Sequence, residues 1–173
     1  MKPVYRSLLL LVVAGLFVAC GYRNPNIYTG PHKNIYITEW KNRTSELGLD
    51  VKLYRSLTRW FQKSGSISTV RQKEGADLIL AGEVVSLELP SLSYGVNNLA
   101  SEVKVRLRVR YIVKEIASNK ILLEIGDQTW EESYLVSSNP SANQDSESKA
   151  LDKIIEDMSQ KIYQKTIAGI TRK

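Results

Sequence analysis

The amino-acid sequence predicts an α+β fold, a two-layer sandwich with two amphipathic helices packed on one face of a mostly antiparallel sheet of four to five strands. Three observations lead to this prediction. Two segments repeat apolar residues every three or four positions, which is the period of a helix with one buried face. Several other segments alternate apolar and polar residues, which is the period of a half-buried strand. Along the chain the order is strand, helix, strand, three longer strands, helix.

The N-terminus has the composition of a secretory signal. Lys2 and Arg6 precede an uninterrupted apolar run, "LLLLVVAGLFVA", which ends directly on Cys20. These twelve residues are fewer than the roughly 20 that a membrane-spanning helix needs. A charged start, a short apolar core and small residues at the end are typical of a signal peptide, and a cysteine at this place resembles the lipobox of bacterial lipoproteins. We therefore predict a lipoprotein signal peptide at residues 1–19 and lipid attachment, including palmitate, at Cys20.

Cys20 has two alternative interpretations. One is an incidental buried thiol in a chain that is anchored by its apolar segment. The other is a reactive thiol, which is less favoured because no charged residue adjoins Cys20 to stabilise a thiolate. In a lipoprotein, Gly21 occupies the position at which an aspartate is associated with retention in the inner membrane, so we expect an outer-membrane location.

Composition restricts both the fold and the partners. Cys20 is the only cysteine, so stability has to come from packing and not from disulfides within the chain. The net charge of +6 falls by two when residues 1–19 are removed, and the remaining chain is still basic. A basic surface favours nucleic acid, anionic lipid head groups or phosphorylated glycolipids. The compartment of a lipoprotein argues against nucleic acid and leaves the membrane and glycolipids.

The first half of the chain predicts a tether, a strand and a helix. Residues 20–32 are rich in glycine, proline and asparagine and form a lipidated tether, which precedes a single domain at residues 33–170. "NIYITEW" alternates and predicts the first strand, and "KNRTSELG" predicts a loop. The helix after it is predicted by an apolar stripe formed by Leu49, Leu53, Leu57, Trp60 and Phe61.

The second half predicts the rest of the sheet and the last helix. "SISTV" reads as a short strand, and "GADLILAGEVVSLELPS" as a central strand that ends at Pro90. After the polar loop "SLSYGVNNLAS", the segments "EVKVRLRVRYIVKE" and "ILLEIGDQTWEESYLV" form a hairpin around "ASNK". The loop "SSNPSANQDSES" leads to a helix from about Asp145 to Ile170, with one apolar stripe.

The alternating strand carries the candidate ligand-binding residues. Lys104, Arg106, Arg108 and Arg110 fall on one face and valine, leucine and tyrosine on the other. At ~3.3 Å per residue these four cations form a row about 20 Å long. Because like charges in a row repel one another, the row predicts an anionic neighbour, either a glycolipid such as lipopolysaccharide or an acidic protein wall.

Pairing within the hairpin is the other interpretation of this row. Exposed cross-strand ion pairs contribute tenths of a kcal/mol up to about one each. The length of the turn sets the register of the hairpin. A two-residue turn places Arg110 opposite Asp127 and Arg106 opposite Glu131. A three-residue turn places Lys114 opposite Glu124 and Arg108 beside Trp130. Two acidic residues do not neutralise the whole row, so pairing and ligand binding remain compatible.

The sequence carries no recognisable catalytic arrangement. His32 is the only histidine and, with no cysteine free beyond the lipid site, a metal centre is not expected. Glycine-rich phosphate loops are absent from the sequence. Glu131 and Glu132 adjoin on a strand and so point to opposite faces. We expect a protein that is not an enzyme, with no catalytic residue, metal or cofactor.

Several segments in order resemble the LptE family of lipopolysaccharide-assembly lipoproteins: "ACGY", "IYITEWKNRT", "GADLILAGEVVSLE", "SEVKVRLRV" and "SYLV", over nearly all of residues 19–168. The resemblance implies a lipid-anchored outer-membrane protein that faces the periplasm or sits inside the lumen of the β-barrel LptD. There it acts as a plug and aids lipopolysaccharide delivery. It also implies that Cys20 matches the family's lipidation residue. The choice of Lys104, Arg106, Arg108 and Arg110 rests on charge and geometry alone.

The first half of the chain also resembles lipoproteins of the LpoB and CsgG type. These activate a peptidoglycan synthase or form a secretion pore, so they represent different functional classes. The long arginine-alternating hairpin and the terminal helix favour the LptE resemblance.

Overall fold

Both predicted helices pack on the same face of one open sheet, in a computed structural model that describes residues 28–94 and 100–171. The predicted α+β fold is thus confirmed. The elements in chain order are β1 (Lys33–Ile37), β2 (Lys41–Asn42), α1 (Leu49–Gln62), β3 (Ile67–Val70), β4 (Leu78–Glu88), β5 (Ser91–Tyr94), β6 (Ala100–Glu115), β7 (Ile121–Leu135) and α2 (Pro140–Thr171). Neither helix is long and apolar enough to cross a membrane.

The sheet is mixed. β1 lies between β3 and β4 and runs parallel to both of them. β6 then runs antiparallel to β4 on one side and to β7 on the other, and these are the longest pairings. The short strands β2 and β5 pair with β4 and β6 respectively. The parallel part follows from the connection through α1, because parallel neighbours need a crossover segment whereas antiparallel neighbours can be joined by a tight turn.

The core lies between the helices and one face of the sheet. α1 contributes Leu53, Leu57 and Phe61, each fully buried. Every second residue of β6 is also buried, namely Val105, Leu107, Val109, Tyr111 and Val113. The intervening residues of β6 point to the opposite sheet face, which no helix of the described residues covers. This second surface is called the open face below.

Two boundaries differ from the sequence-based prediction. α2 begins at Pro140, five residues before the predicted start, because Asn139 caps it: its side-chain Oδ1 accepts a hydrogen bond of 3.0 Å from the backbone N–H of Ser141. Proline suits the first helical position because no partner is needed there for its missing N–H. The segment predicted as a polar loop after Pro90 contains β5, since the chain resumes pairing with β6 beyond the proline.

Candidate functional site: the basic row on the open sheet face

The four cations predicted from the sequence all lie in β6 on the open face. Lys104, Arg106, Arg108 and Arg110 alternate with buried residues of the core, as the period-two pattern predicts. The exposed fraction of the side chain rises along the row, from 25% for Lys104 to 54% for Arg110. These charges are therefore within reach of a partner, although each also has carboxylates nearby.

Glu131 on β7 holds the first two cations. Its Oε2 accepts a hydrogen bond of 2.8 Å from Lys104 Nζ, and its Oε1 accepts one of 2.7 Å from Arg106 Nε. The hydrogen bonds from Lys104 and Arg106 outweigh partial desolvation and lower the pKa of Glu131 below its ordinary value. Glu131 in turn raises the pKa of Arg106. One carboxylate thus neutralises part of two positive side chains.

β4 supplies two further carboxylates on the other side of the row. Glu88 Oε2 lies 3.5 Å from Arg106 Nη1. Glu83, which is only 7% exposed, forms ion pairs with Arg110 and with Arg43, the latter at 3.0 Å. Burial alone would raise the pKa of Glu83, but the hydrogen bond from Arg43 and the charge of Arg110 outweigh it and lower the pKa. The strand on each flank of the row is therefore acidic.

A β-bulge explains why the sequence did not indicate this second acidic flank. Glu83 and Glu88 are an odd number of positions apart, so a regular strand would place them on opposite faces. The register of β4 against β6 shifts between Val84 and Ser86, and the extra residue turns both glutamates to the open face. The pairing considered from the sequence was limited to the β6–β7 hairpin and therefore did not include the carboxylates of β4.

Arg108 is the least satisfied cation of the row. Its nearest carboxylate oxygen is Asp127 Oδ1, 4.0 Å from Nε, which is too far for a hydrogen bond. The Nε atom is nevertheless buried and has no hydrogen-bond partner among the described residues. A buried donor without a partner costs free energy, while the rest of the Arg108 side chain is 41% exposed. Of the four predicted residues, Arg108 is therefore the one whose charge is least satisfied by the described residues.

The register of the β6–β7 hairpin agrees partly with the two-residue alternative. Arg106 lies opposite Glu131, as that alternative predicts. The register shifts twice nearer the turn, so that Lys114 faces Ile121 and not Glu124. The turn is also wider than either alternative, since the N–H of Glu115 donates to the carbonyl of Lys120 at 2.8 Å.

The predicted lipid site falls outside this geometry. Cys20 and residues 1–19 lie outside the described residues, so lipidation at Cys20 and the signal peptide stay predictions. The first described residue, Tyr28, belongs to the hydrophobic core and is 6% exposed. The chain is therefore held to the domain eight residues after Cys20.

Solved structures share this architecture. The NMR structure of uncharacterized lipoprotein B from Nitrosomonas europaea superposes with a TM-score of 0.61 at 17% identity, over 88% of this chain and 94% of that one. The crystal structure of rare lipoprotein B from Shewanella oneidensis gives a TM-score of 0.58 at 14% identity, over 78% and 94% respectively. A search of curated protein sequences finds no match. At these identities the structures establish the class of fold, an α+β domain that lipoproteins also use.

The sequence itself establishes the family. The model of the LptE family, described as lipopolysaccharide-assembly, matches residues 33–166. This range covers the domain from the first residue of β1 to the last turns of α2. The chain therefore belongs to the LptE family, and the resemblance found in the sequence is confirmed.

Proposed function

We propose that this chain is an outer-membrane lipoprotein, anchored through lipid on Cys20, that plugs and supports the β-barrel LptD and assists lipopolysaccharide assembly. Membership of the lipopolysaccharide-assembly family supports a role in lipopolysaccharide assembly. The lipoproteins with the same fold, and the lipobox-like sequence that ends on Cys20, support the anchor. The role is one of binding and support, and it requires no catalytic residue.

The open face is the observation that carries the plug role. Helices cover one side of the sheet, and the other side presents the basic row between two acidic strands. The interior of a membrane β-barrel is polar, so a charged surface is better suited to it than an apolar one. Desolvating an isolated charge is costly, whereas charges that already have partners lose less on burial. Glu83 and Glu131 provide such partners for the row before any other protein binds.

Arg108 gives this face a specific point of contact. Its guanidinium is the one in the row whose carboxylate partner is 4.0 Å away. A phosphate of lipopolysaccharide, or an acidic side chain of the barrel wall, would pair with the exposed part of this side chain, and guanidinium groups suit both kinds of anion. The neighbouring Lys104, Arg106 and Arg110 would contribute positive potential along the same strip.

Affinity purification from detergent-solubilised outer membranes tests this function. We expect the tagged, lipidated protein to retain a large outer-membrane barrel together with lipopolysaccharide. A matched preparation of an unrelated tagged lipoprotein controls for nonspecific retention of membrane material. Retention of a penicillin-binding protein in place of the barrel would overturn the proposal and favour the alternative, an activator of a peptidoglycan synthase.

A further inference from the structure

One end of the domain, here called the base, brings together the start of the sheet and the ends of two later elements. Lys33 begins β1, and its Nζ lies 3.3 Å from Glu115 Oε1 at the end of β6. The β6–β7 turn follows Glu115 and returns to Lys120. The last turns of α2 reach the same place, since a Cβ atom on Gly169 would lie 3.2 Å from the carbonyl oxygen of Leu122.

A groove with an apolar floor and two lysines lies at the base, between the first residues of β7 and the last turns of α2. It encloses about 310 Å³ and is lined by Lys120, Ile121, Leu122, Leu123, Ile125, Lys165, Ala168 and Gly169. Ile121 is 49% exposed, which is a high value for a large apolar side chain. No carboxylate lines the groove. An apolar surface flanked only by cations suits a ligand that has both a hydrocarbon part and a negative charge.

The two lysines are free to meet such a charge. Neither Lys120 nor Lys165 forms an ion pair with any described residue, and Lys165 Nζ makes only a long contact of 3.4 Å with Gln128 Oε1. Two acidic side chains at the base have partners of their own, since Glu115 pairs with Lys33 and Asp77 accepts a hydrogen bond from the N–H of Asn34. Glu124 follows Leu123 in β7 and has no ion pair among the described residues, but it lines a different pocket together with Thr38 and Arg110. Lys120 and Lys165 are thus the charged side chains that a ligand in the groove would meet.

The tether places the membrane close to this end. Tyr28 is buried in the core only five residues before Lys33, so the tether leaves the domain near the base. Between Cys20 and Tyr28 the chain contains glycine, proline and asparagine. The eight residues from Cys20 to Tyr28 reach at most about 29 Å even when fully extended. Lipid attached to Cys20 therefore holds the base near the surface of the membrane.

We propose that the base groove binds an anionic phospholipid of the membrane in which the Cys20 lipid is embedded. An acyl chain lies along Ile121, Leu123 and Ile125, and the phosphate lies between Lys120 and Lys165. The acyl groups on Cys20 itself fit less well, because they carry no charge for the lysines to bind. The inference rests on the proposed lipid anchor and extends the proposed function, since it fixes which end of the domain faces the membrane.

The test uses the full-length lipidated protein in vesicles with two photoactivatable lipids that differ only in head group. Phosphatidylglycerol and phosphatidylcholine, each with a diazirine in the acyl chain, are compared at equal density, and labelled peptides are mapped by mass spectrometry. We expect phosphatidylglycerol to label residues 120–125 and 165–169 about tenfold more than phosphatidylcholine does, as for one charge-assisted contact. Equal labelling by both lipids, or labelling confined to other segments, would overturn the proposal.

Two variants distinguish the contribution of the lysines to lipid binding from that of the apolar groove. Lys120→Gln with Lys165→Gln should abolish the preference for phosphatidylglycerol. Ala168→Phe fills the groove, keeps both lysines and should reduce labelling by either lipid. The matched control, Arg55→Gln with Lys149→Gln, removes two exposed helix cations and should leave labelling unchanged. If the control lowers the preference as much as the lysine variant does, net charge and not the groove is responsible.

The same samples distinguish failure of this inference from failure of the proposed function. The intact mass of the protein shows whether lipid is present on Cys20, and retention of the barrel is measured without photoactivation. Loss of groove labelling in lipidated protein that still retains its barrel overturns only the groove. Unlabelled lipopolysaccharide and unlabelled phosphatidylglycerol are then added as competitors to test the alternative ligand. If lipopolysaccharide suppresses labelling of the groove at a lower concentration than phosphatidylglycerol does, the groove is not a phospholipid site.

Discussion

Arg106 and Glu131 lie directly opposite each other on β6 and β7, and Arg106 Nε donates a hydrogen bond of 2.7 Å to Glu131 Oε1. Glu131 also accepts from Lys104, and Arg106 also contacts Glu88. The basic row is therefore the middle strand of a three-strand pattern of charge, acidic–basic–acidic. This arrangement stabilises a face that no helix of the described residues covers, and it leaves Arg108 as the weakly paired member.

The Glu131 pairs should make stability depend on pH in the acidic range. The pKa of this carboxyl is lowered from its ordinary value of 4.5 in the folded state by Lys104 and Arg106. Its contribution is therefore present above the unfolded value and is lost as the pH falls through the folded value. We expect Glu131→Gln to lower the Tm near neutral pH, and the difference from wild type to shrink as the pH falls below 4.5 and the folded carboxyl becomes protonated. Thermal unfolding of wild type and variant, from neutral pH down into the acidic range, measures the loss of Tm and its dependence on pH.

Glu124→Gln provides the control for that experiment. Glu124 lies on the same strand and forms no ion pair with the described residues. The same substitution there should change the Tm little at any pH. A Glu131→Gln loss of Tm that stays the same size at every acidic pH at which wild type still folds would show that the carboxylate charge is not what stabilises the hairpin.

The buried stripes of the two helices should carry much of the stability. Leu57 in α1 and Ile155 in α2 are 0% and 4% exposed. Truncation of such residues leaves a cavity, and we expect Leu57→Ala and Ile155→Ala each to lower the free energy of unfolding by about 2–5 kcal/mol. Val51 is 46% exposed on the same helix as Leu57, so Val51→Ala should cost less than about 0.5 kcal/mol. Equal losses at positions 51 and 57, in urea unfolding, would contradict the packing of α1 described above.

Gly82 should be intolerant of even one added methyl group. A Cβ atom there would lie 2.8 Å from the carbonyl oxygen of Arg110 and 2.8 Å from the ring of Trp40, which stacks on Tyr111. We expect Gly82→Ala to destabilise by about 1–3 kcal/mol through overpacking. Gly126 on β7 has no atom within 4 Å of such a Cβ, and Gly126→Ala is the matched control. A stable Gly82→Ala variant would show that both the Trp40 ring and the β6 backbone at Arg110 have room to move.

The lipid anchor is testable by a single substitution. Attachment needs the thiol, and the chain has no other cysteine, so Cys20→Ser should lack the mass of the lipid and remain unprocessed. After removal of the signal segment at an engineered protease site, we expect the variant to partition into the aqueous phase of a detergent separation. Wild-type protein treated in parallel should stay in the detergent phase. If the cleaved variant enters the detergent phase in the absence of its barrel partner, Cys20 is not the site of the membrane anchor.

Periodicity in the sequence predicted the parts of the fold that local patterns determine. The apolar stripe through Leu53 and Leu57 and the alternation along β6 lead to the correct helix and strand because burial imposes those periods. The parallel pairing of β1 with β3 and β4 was not predicted, since it joins distant segments whose local pattern is the same in either direction.

The candidate site was predicted only in part for a related reason. The four cations follow from alternation, but their acidic neighbours depend on two strand registers. The bulge that turns Glu88 to the open face cannot be recognised from the pattern of apolar residues in β4. The earlier start of α2, by contrast, was readable: Asn139 before Pro140 is a helix-start signal. The weak pairing of Arg108 required the distance to Asp127 and so needed the structure.

The binding role of the open face is tested most directly by the Arg106→Gln, Arg108→Gln double variant, for which Arg55→Gln with Lys149→Gln is the charge-matched control. Lipopolysaccharide binding, barrel retention and the Tm are measured for both variants and wild type at low and high salt. We predict at least a tenfold loss of affinity for one of the two partners at low salt, as for one charge-assisted contact. This loss should shrink at high salt because salt screens exposed charge, and the control should bind as wild type does. Unchanged affinity for both partners, with only a lowered Tm, would contradict the account and leave the basic row as a structural feature of the hairpin.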